Sequence, residues 1–219
     1  MELWSRRLTV LPGYIGAGVI IVGCVVAALG YVGTGGEHYS PLRYFVSELG
    51  HTQQSALSAI FNVALFIGGV FYGLFMLGVG LSFRWIAGYA FSIAGMVVAG
   101  GGALVGVYPM DVNLPMHRQV ALLFFQGSLV LMIGFSLLVL LARQRVYPRW
   151  MAFTTLPMIV SNAILLRIIF SGGTSALAKP EGGRPEFWLV AISEWGVIIF
   201  LLLWVVLVAY YRSRPTPAA

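Results

Sequence analysis

Apolar residues in this chain run in long unbroken blocks. They do not show the strict alternation of a half-buried strand or the one-sided stripe of a surface helix. Six blocks are long enough to cross hydrocarbon, which takes about 20 helical residues. They cover about 10–32, 55–83, 85–108, 117–142, 150–171 and 187–211. Hydrocarbon contains no water to satisfy a peptide group, so runs of this length are expected as helices whose backbone bonds close within the segment. The pattern predicts an all-α integral membrane bundle of six transmembrane helices, forming one domain over 1–219. The stretch 212–219, with Pro215 and Pro217, is expected as a disordered tail. The first block exceeds the apolar core of a secretory signal, about 7–15 residues, and is expected to be an uncleaved span. Gly69 and Gly73, and again Gly102 and Gly106, are one helical turn apart and would let neighbouring backbones approach closely. Pro157 is expected to kink the fifth span.

Composition agrees with the pattern. Of 219 residues, 59% are hydrophobic and 9% charged, with a mean hydropathy of +0.91. A soluble domain carries about 25% charged residues. The net charge of +6 would suggest a nucleic-acid partner in a soluble protein. Here no basic stretch is interleaved with aromatics, and no nucleic-acid partner is expected. The cations instead sort by side. One side carries Arg6, Arg7, Arg84, Arg143, Arg145, Arg149, Arg212 and Arg214; the other carries Arg43, Arg118, Lys179 and Arg184. That asymmetry predicts both termini in the cytoplasm. Glu37, Glu48, Asp111, Glu181 and Glu186 all fall on the outer side. The single cysteine, Cys24, excludes an intrachain disulfide and reads as an apolar filler. There is no phosphate-binding loop, His-Glu-x-x-His motif, nucleophile elbow or paired metal-binding cysteines. No internal repeat supports a transporter of the inverted-repeat kind.

The polar residues that remain gather on the outer side, including His38, His51 and His117. With a helix starting near Glu48, residues His51, Ser55, Ser58 and Asn62 would form one polar stripe entering the membrane. Such a stripe serves interhelical hydrogen bonds or lines a cavity. Asp111 and His117 stand at adjoining ends of the third and fourth spans. They could act as a base and its orienting group, or as metal ligands. Arg167 and Glu194 would each cost roughly 2–3 kcal/mol in hydrocarbon if unpaired, and they are expected to pair with each other. Arg167 could otherwise hold a ligand's anionic group. Asn162 is expected as a buried interhelical contact. Trp150, Trp188 and Tyr108 fit an interfacial aromatic belt.

Ser47-Glu48-Leu49-Gly50, Phe61-Asn62 with Gly68-Gly69, and Gly106-x-x-Pro109-x-Asp111 followed by His117 resemble the membrane family catalogued as domain of unknown function 998. The chain is more distantly similar to DRAM-like six-helix membrane proteins. The resemblance covers most of the chain. It implies a six-helix multi-pass protein of a bacterial or archaeal cell membrane and supplies no established reaction.

Three functions are compatible with these residues. The first is a non-enzymatic membrane protein that binds lipid, a membrane-protein partner or a second copy of itself through an outward polar pocket, with Asn62, Arg167 and Glu194 as ligand-binding residues. The second is an intramembrane lipid hydrolase or transferase using Ser47, Glu48, His51, Asp111 and His117, with zinc held by His51, Asp111 and His117. The third, a small-solute transporter, is disfavoured by the one-sided polar cluster.

Overall fold

The computed structural model describes residues 2–33, 35–142, 146–172 and 183–214. Within them the chain forms six helices: α1 (Glu2–Leu29), α2 (Ser58–Ser82), α3 (Ile86–Val107), α4 (Leu114–Leu141), α5 (Leu156–Gly172) and α6 (Leu189–Ser213). A 3-10 helix, Arg149–Thr155, runs directly into α5 and extends that span to 24 residues. All six spans are long and apolar enough to cross a membrane. Apolar side chains occupy both the inside and the outside of the bundle. Phe75, Met132, Phe135 and Trp204 are fully buried, while Leu29, Ile86 and Val130 stand out from the surface. Lipid solvates such an exterior and water does not.

The first helix begins well before the apolar block does. Arg6 explains the extension: its Nε donates to the carbonyl of Arg212 at 2.8 Å, answering an orphan carbonyl at the end of α6. The two chain ends therefore share one end of the bundle, called here the terminal end. At the same end Arg84 meets Glu2 at 3.1 Å. Helix α6 continues through Ser213, so Arg212 and Ser213 belong to it and not to a tail; 215–219, like Arg143, Arg145, Lys179 and Glu181, lie outside the described residues.

Close packing follows from the small residues. A side chain at Gly69 would put its Cβ 2.6 Å from that of Ala103, so α2 and α3 touch backbone to backbone there. Lower down, Asn162 Nδ2 donates to Ser128 Oγ at 2.8 Å and joins α5 to α4. Pro157, expected to kink the fifth span, falls at a helix start. Pro157 is the second residue of α5, where a missing N–H costs nothing, and it stands where the 3-10 helix becomes α.

The second block also differs from expectation. Helix α2 starts at Ser58, and residues 30–33 and 35–57 form a cap over the opposite end, the loop end. Ser55 Oγ donates to the Ala27 carbonyl at 3.2 Å, and Tyr31 and Ser55 form an antiparallel bridge. These bonds hold 51–57 against the end of α1 and stop it from joining α2. The His51–Ser55–Ser58–Asn62 stripe is therefore not a helical face.

Candidate functional site

A 3-10 helix, Val46–Gly50, lies across the loop end, and its consecutive residues face two different environments. Asn62 fixes its far end by donating to the Gly50 carbonyl at 3.1 Å. A Cβ at Gly50 would collide with Asn62 Oδ1, so only glycine allows this anchor.

On one face Glu48 is 3% exposed and saturated. It accepts from both terminal nitrogens of Arg184, at 2.8 and 2.7 Å, in a bidentate pair. It also accepts from the Phe45 N–H at 2.9 Å. The Arg184 guanidinium lies 4.4 Å above the Tyr44 ring and 5.3 Å from that of Trp188. Burial alone would weaken its charge, but the hydrogen bonds and field of Glu48 outweigh it and raise the pKa above the ordinary value. Tyr31, Tyr39 and Tyr44 pack edge to face around the pair. Tyr39 donates to the Phe45 carbonyl and accepts from Trp195, both at 2.8 Å. Trp188, expected in an interfacial belt, is instead buried in this cage.

On the other face Ser47 looks into the bundle, next to Glu194. Glu194 is buried because it repeats at helical spacing with Ala191, Val197 and Leu201 on the inward side of α6. It accepts from the Val46 N–H at 2.9 Å. Across from it, buried His117 places Nδ1 2.8 Å from the Tyr108 carbonyl. A carbonyl only accepts, so Nδ1 carries the proton and Nε2 of the neutral ring is an acceptor.

Ser47, Glu194 and His117 stand at the junction of two cavities. Inward is an apolar chamber of about 80 Å³ among α1, α2, α3, α4 and α6, reaching Tyr72 and Val205. Outward is a cleft of about 440 Å³ between α4 and α5, lined by Arg118, Ala121, Leu165 and Ile169 among others. Arg118 makes no hydrogen bond or ion pair among the described residues, and the Tyr72 hydroxyl is buried without a partner.

Outside these cavities His51 Nδ1 lies 3.5 Å from Asp111 Oδ2. The same oxygen accepts from the Thr52 N–H at 3.0 Å. Burial pushes the Asp111 carboxyl up, but the bonds from Thr52 and the field of His51 bring it below its ordinary value. This pair latches the cap to the α3–α4 turn.

Several expectations are corrected here. Arg167 and Glu194 do not pair. The inward face of α5 is Met158, Asn162 and Leu165; Arg167 is two residues past Leu165, about 200° around the helix, and points outward. His51, Asp111 and His117 do not converge, because His117 turns into the bundle toward Tyr108 while His51 and Asp111 meet at its rim. No group of three His, Cys, Asp or Glu side chains among the described residues is placed to hold a metal ion, so zinc has no ligand set there. Asn162 is the interhelical contact expected. Sequence reading counted Arg184 and Arg118 only as loop charges and passed over Tyr31, Tyr39, Tyr44 and Tyr72. The aromatics Tyr39, Tyr44 and Phe45, close together in a segment outside every span, were the available signal for a folded cap.

The six-span bundle and the loop-end motif agree with one further observation. A family model described as "Protein of unknown function (DUF998)" matches residues 14–211. The chain belongs to the DUF998 family. The match takes in the cap, the spans from within α1 to near the end of α6, and most of the lining of both cavities of this DUF998 protein, a polytopic membrane protein. No curated protein and no solved structure matches the chain.

Proposed function

We propose that this DUF998 protein binds an amphiphile drawn from the membrane, with the polar part at Ser47, His117 and Glu194 and the apolar part in the chamber among the helices. One observation carries the reading. A half-buried serine, Ser47, and a buried imidazole and carboxylate, His117 and Glu194, converge at the point where an apolar interior chamber meets a cleft between α4 and α5. Small-molecule sites combine these elements: a mainly apolar wall and a few convergent polar groups that fix orientation. Buried polar side chains inside a membrane bundle are costly and mark sites by default. No hydrogen bond joins Ser47 to His117 among the described residues, so the reading contains no nucleophile and base. The basic residues of the terminal end, Arg6, Arg7, Arg84, Arg149, Arg212 and Arg214, favour a cytoplasmic position for it, which opens the cleft toward the outer leaflet.

Native mass spectrometry of the full chain released from lipid nanodiscs tests the proposal. A retained lipid adduct on the unaltered protein is the expected result. Ala121 lines both cavities, and Ala121→Phe should remove the adduct while leaving the protein monodisperse. An unaltered protein that emerges bare under conditions that preserve its fold would end this reading.

A further inference from the structure

We infer that the amphiphile is a single-chain anion, a fatty-acid-like molecule whose carboxylate meets Arg118 and whose one chain threads the chamber. This deepens the proposed function and rests on it. Charge argues for the anion. Arg118 is the cation lining the cleft, it is half-buried there, and no described residue answers it. The other charged groups nearby are engaged. Glu194 takes the Val46 N–H with Ser47 beside it, and Asp111 is held by Thr52 and His51. A ligand carboxylate is therefore the natural complement to the guanidinium, and a fork of two N–H donors suits it.

Dimensions argue for one chain. Along α6 the chamber wall runs from Glu194 to Val205, eleven residues or about 17 Å at 1.5 Å each. That is close to half of the roughly 30 Å hydrocarbon thickness, the depth of one leaflet's acyl chain. A volume of about 80 Å³ over such a length has no room for two chains. Gly16, Gly68, Gly69 and Gly102 are among the residues that line the chamber, and they add no side-chain polar atoms.

The test uses the full chain in phosphatidylcholine nanodiscs and three photoreactive diazirine probes: a long-chain fatty acid, the alcohol of the same length, and a two-chain phosphatidic acid. The acid should label chamber-facing peptides of α4 and α6 in the unaltered protein, and unlabelled acid should compete. Arg118→Gln should lower acid labelling about tenfold and leave the weaker alcohol labelling unchanged. Equal labelling by acid and alcohol, or an Arg118→Gln effect on both alike, would overturn the anionic assignment and leave amphiphile binding intact. Stronger chamber labelling by phosphatidic acid would overturn the single chain. Labelling confined to the outer faces of the helices, unmoved by competitor or by Ala121→Phe, would take the chamber reading down as well.

Discussion

Ser47 and Glu48 are neighbours in sequence and belong to opposite halves of the loop end. The Glu48 half is closed: both carboxylate oxygens of Glu48 and both terminal nitrogens of Arg184 are paired, with a backbone N–H and a ring of tyrosines around them. The Ser47 half is open: Glu194 and His117 stand at the joint of two cavities, and among the described residues Arg118 lacks a partner and the Tyr72 hydroxyl has none. Both halves place charge at the end of an apolar bundle, where charge is expensive. Where the protein itself supplies every partner, the polar cluster serves folding. Where partners are left out, the cluster is the place proposed for a ligand.

The closed half should respond most strongly to mutation. Glu48→Ala strands Arg184 inside the tyrosine cage and is expected to cost about 3–5 kcal/mol, read as a fall in thermal midpoint by tryptophan fluorescence in detergent. Changing both partners, Glu48→Leu with Arg184→Met, should recover much of that loss. If the double variant were as unstable as the single one, the pair would not be the unit that holds the cap. Gly50→Ala comes next. The added methyl strikes Asn62 Oδ1, so the 3-10 helix must move or release its anchor, at about 1–3 kcal/mol by the same measurement.

Between the two halves in effect is the Asp111 latch. Its carboxyl is held below the ordinary value in the folded protein, so it binds protons less readily folded than unfolded. Its stabilisation is then fully present above the ordinary carboxylate range and is lost as pH falls through the lowered folded value. Asp111→Asn should cost about 1 kcal/mol at neutral pH, and the gap from the unaltered protein should close on acidification, as followed by midpoint against pH. A gap that widened in acid would mean the latch is not made through the ionised form.

The smallest effect belongs to the open half. Tyr72→Phe removes a buried hydroxyl that has no partner among the described residues, so delipidated protein should hold its stability or gain up to about 1 kcal/mol. A clear loss would show that the hydroxyl is satisfied in solution and that the open half is not short of partners.

Much of the fold was legible in the residues. The six spans follow from apolar run length alone, and Asn162 was readable as a contact because a lone amide in an apolar helix needs a partner. The inward position of Glu194 follows from the same cost. The site was less legible because its decisive pairings are long-range. Glu48 and Arg184 are 136 residues apart, and nothing local distinguishes Arg184 from any loop arginine. Arg167 misled for the opposite reason: its depth in the span matched that of Glu194, but depth is only one helical coordinate. The angle around α5, set by which neighbours pack inward, turned it away. The polar stripe failed because continuous helical phase was assumed from Glu48 to Asn62. Ser55 and Tyr31 divert that segment to the end of α1, and a side chain bonding across 28 residues leaves no periodic trace.

The grip of Arg6 on the last turn of α6 makes the bundle a nearly closed loop of chain. A short peptide could splice Ser213 back to Glu2, and new ends could then be cut at the bend between Ser82 and Ile86, on the same end of the bundle. A circular permutant of that kind would keep the cap and both cavities untouched. It would also free the native ends from carrying tags, so that a reporter could be attached beside α3 without disturbing the arginine clasp.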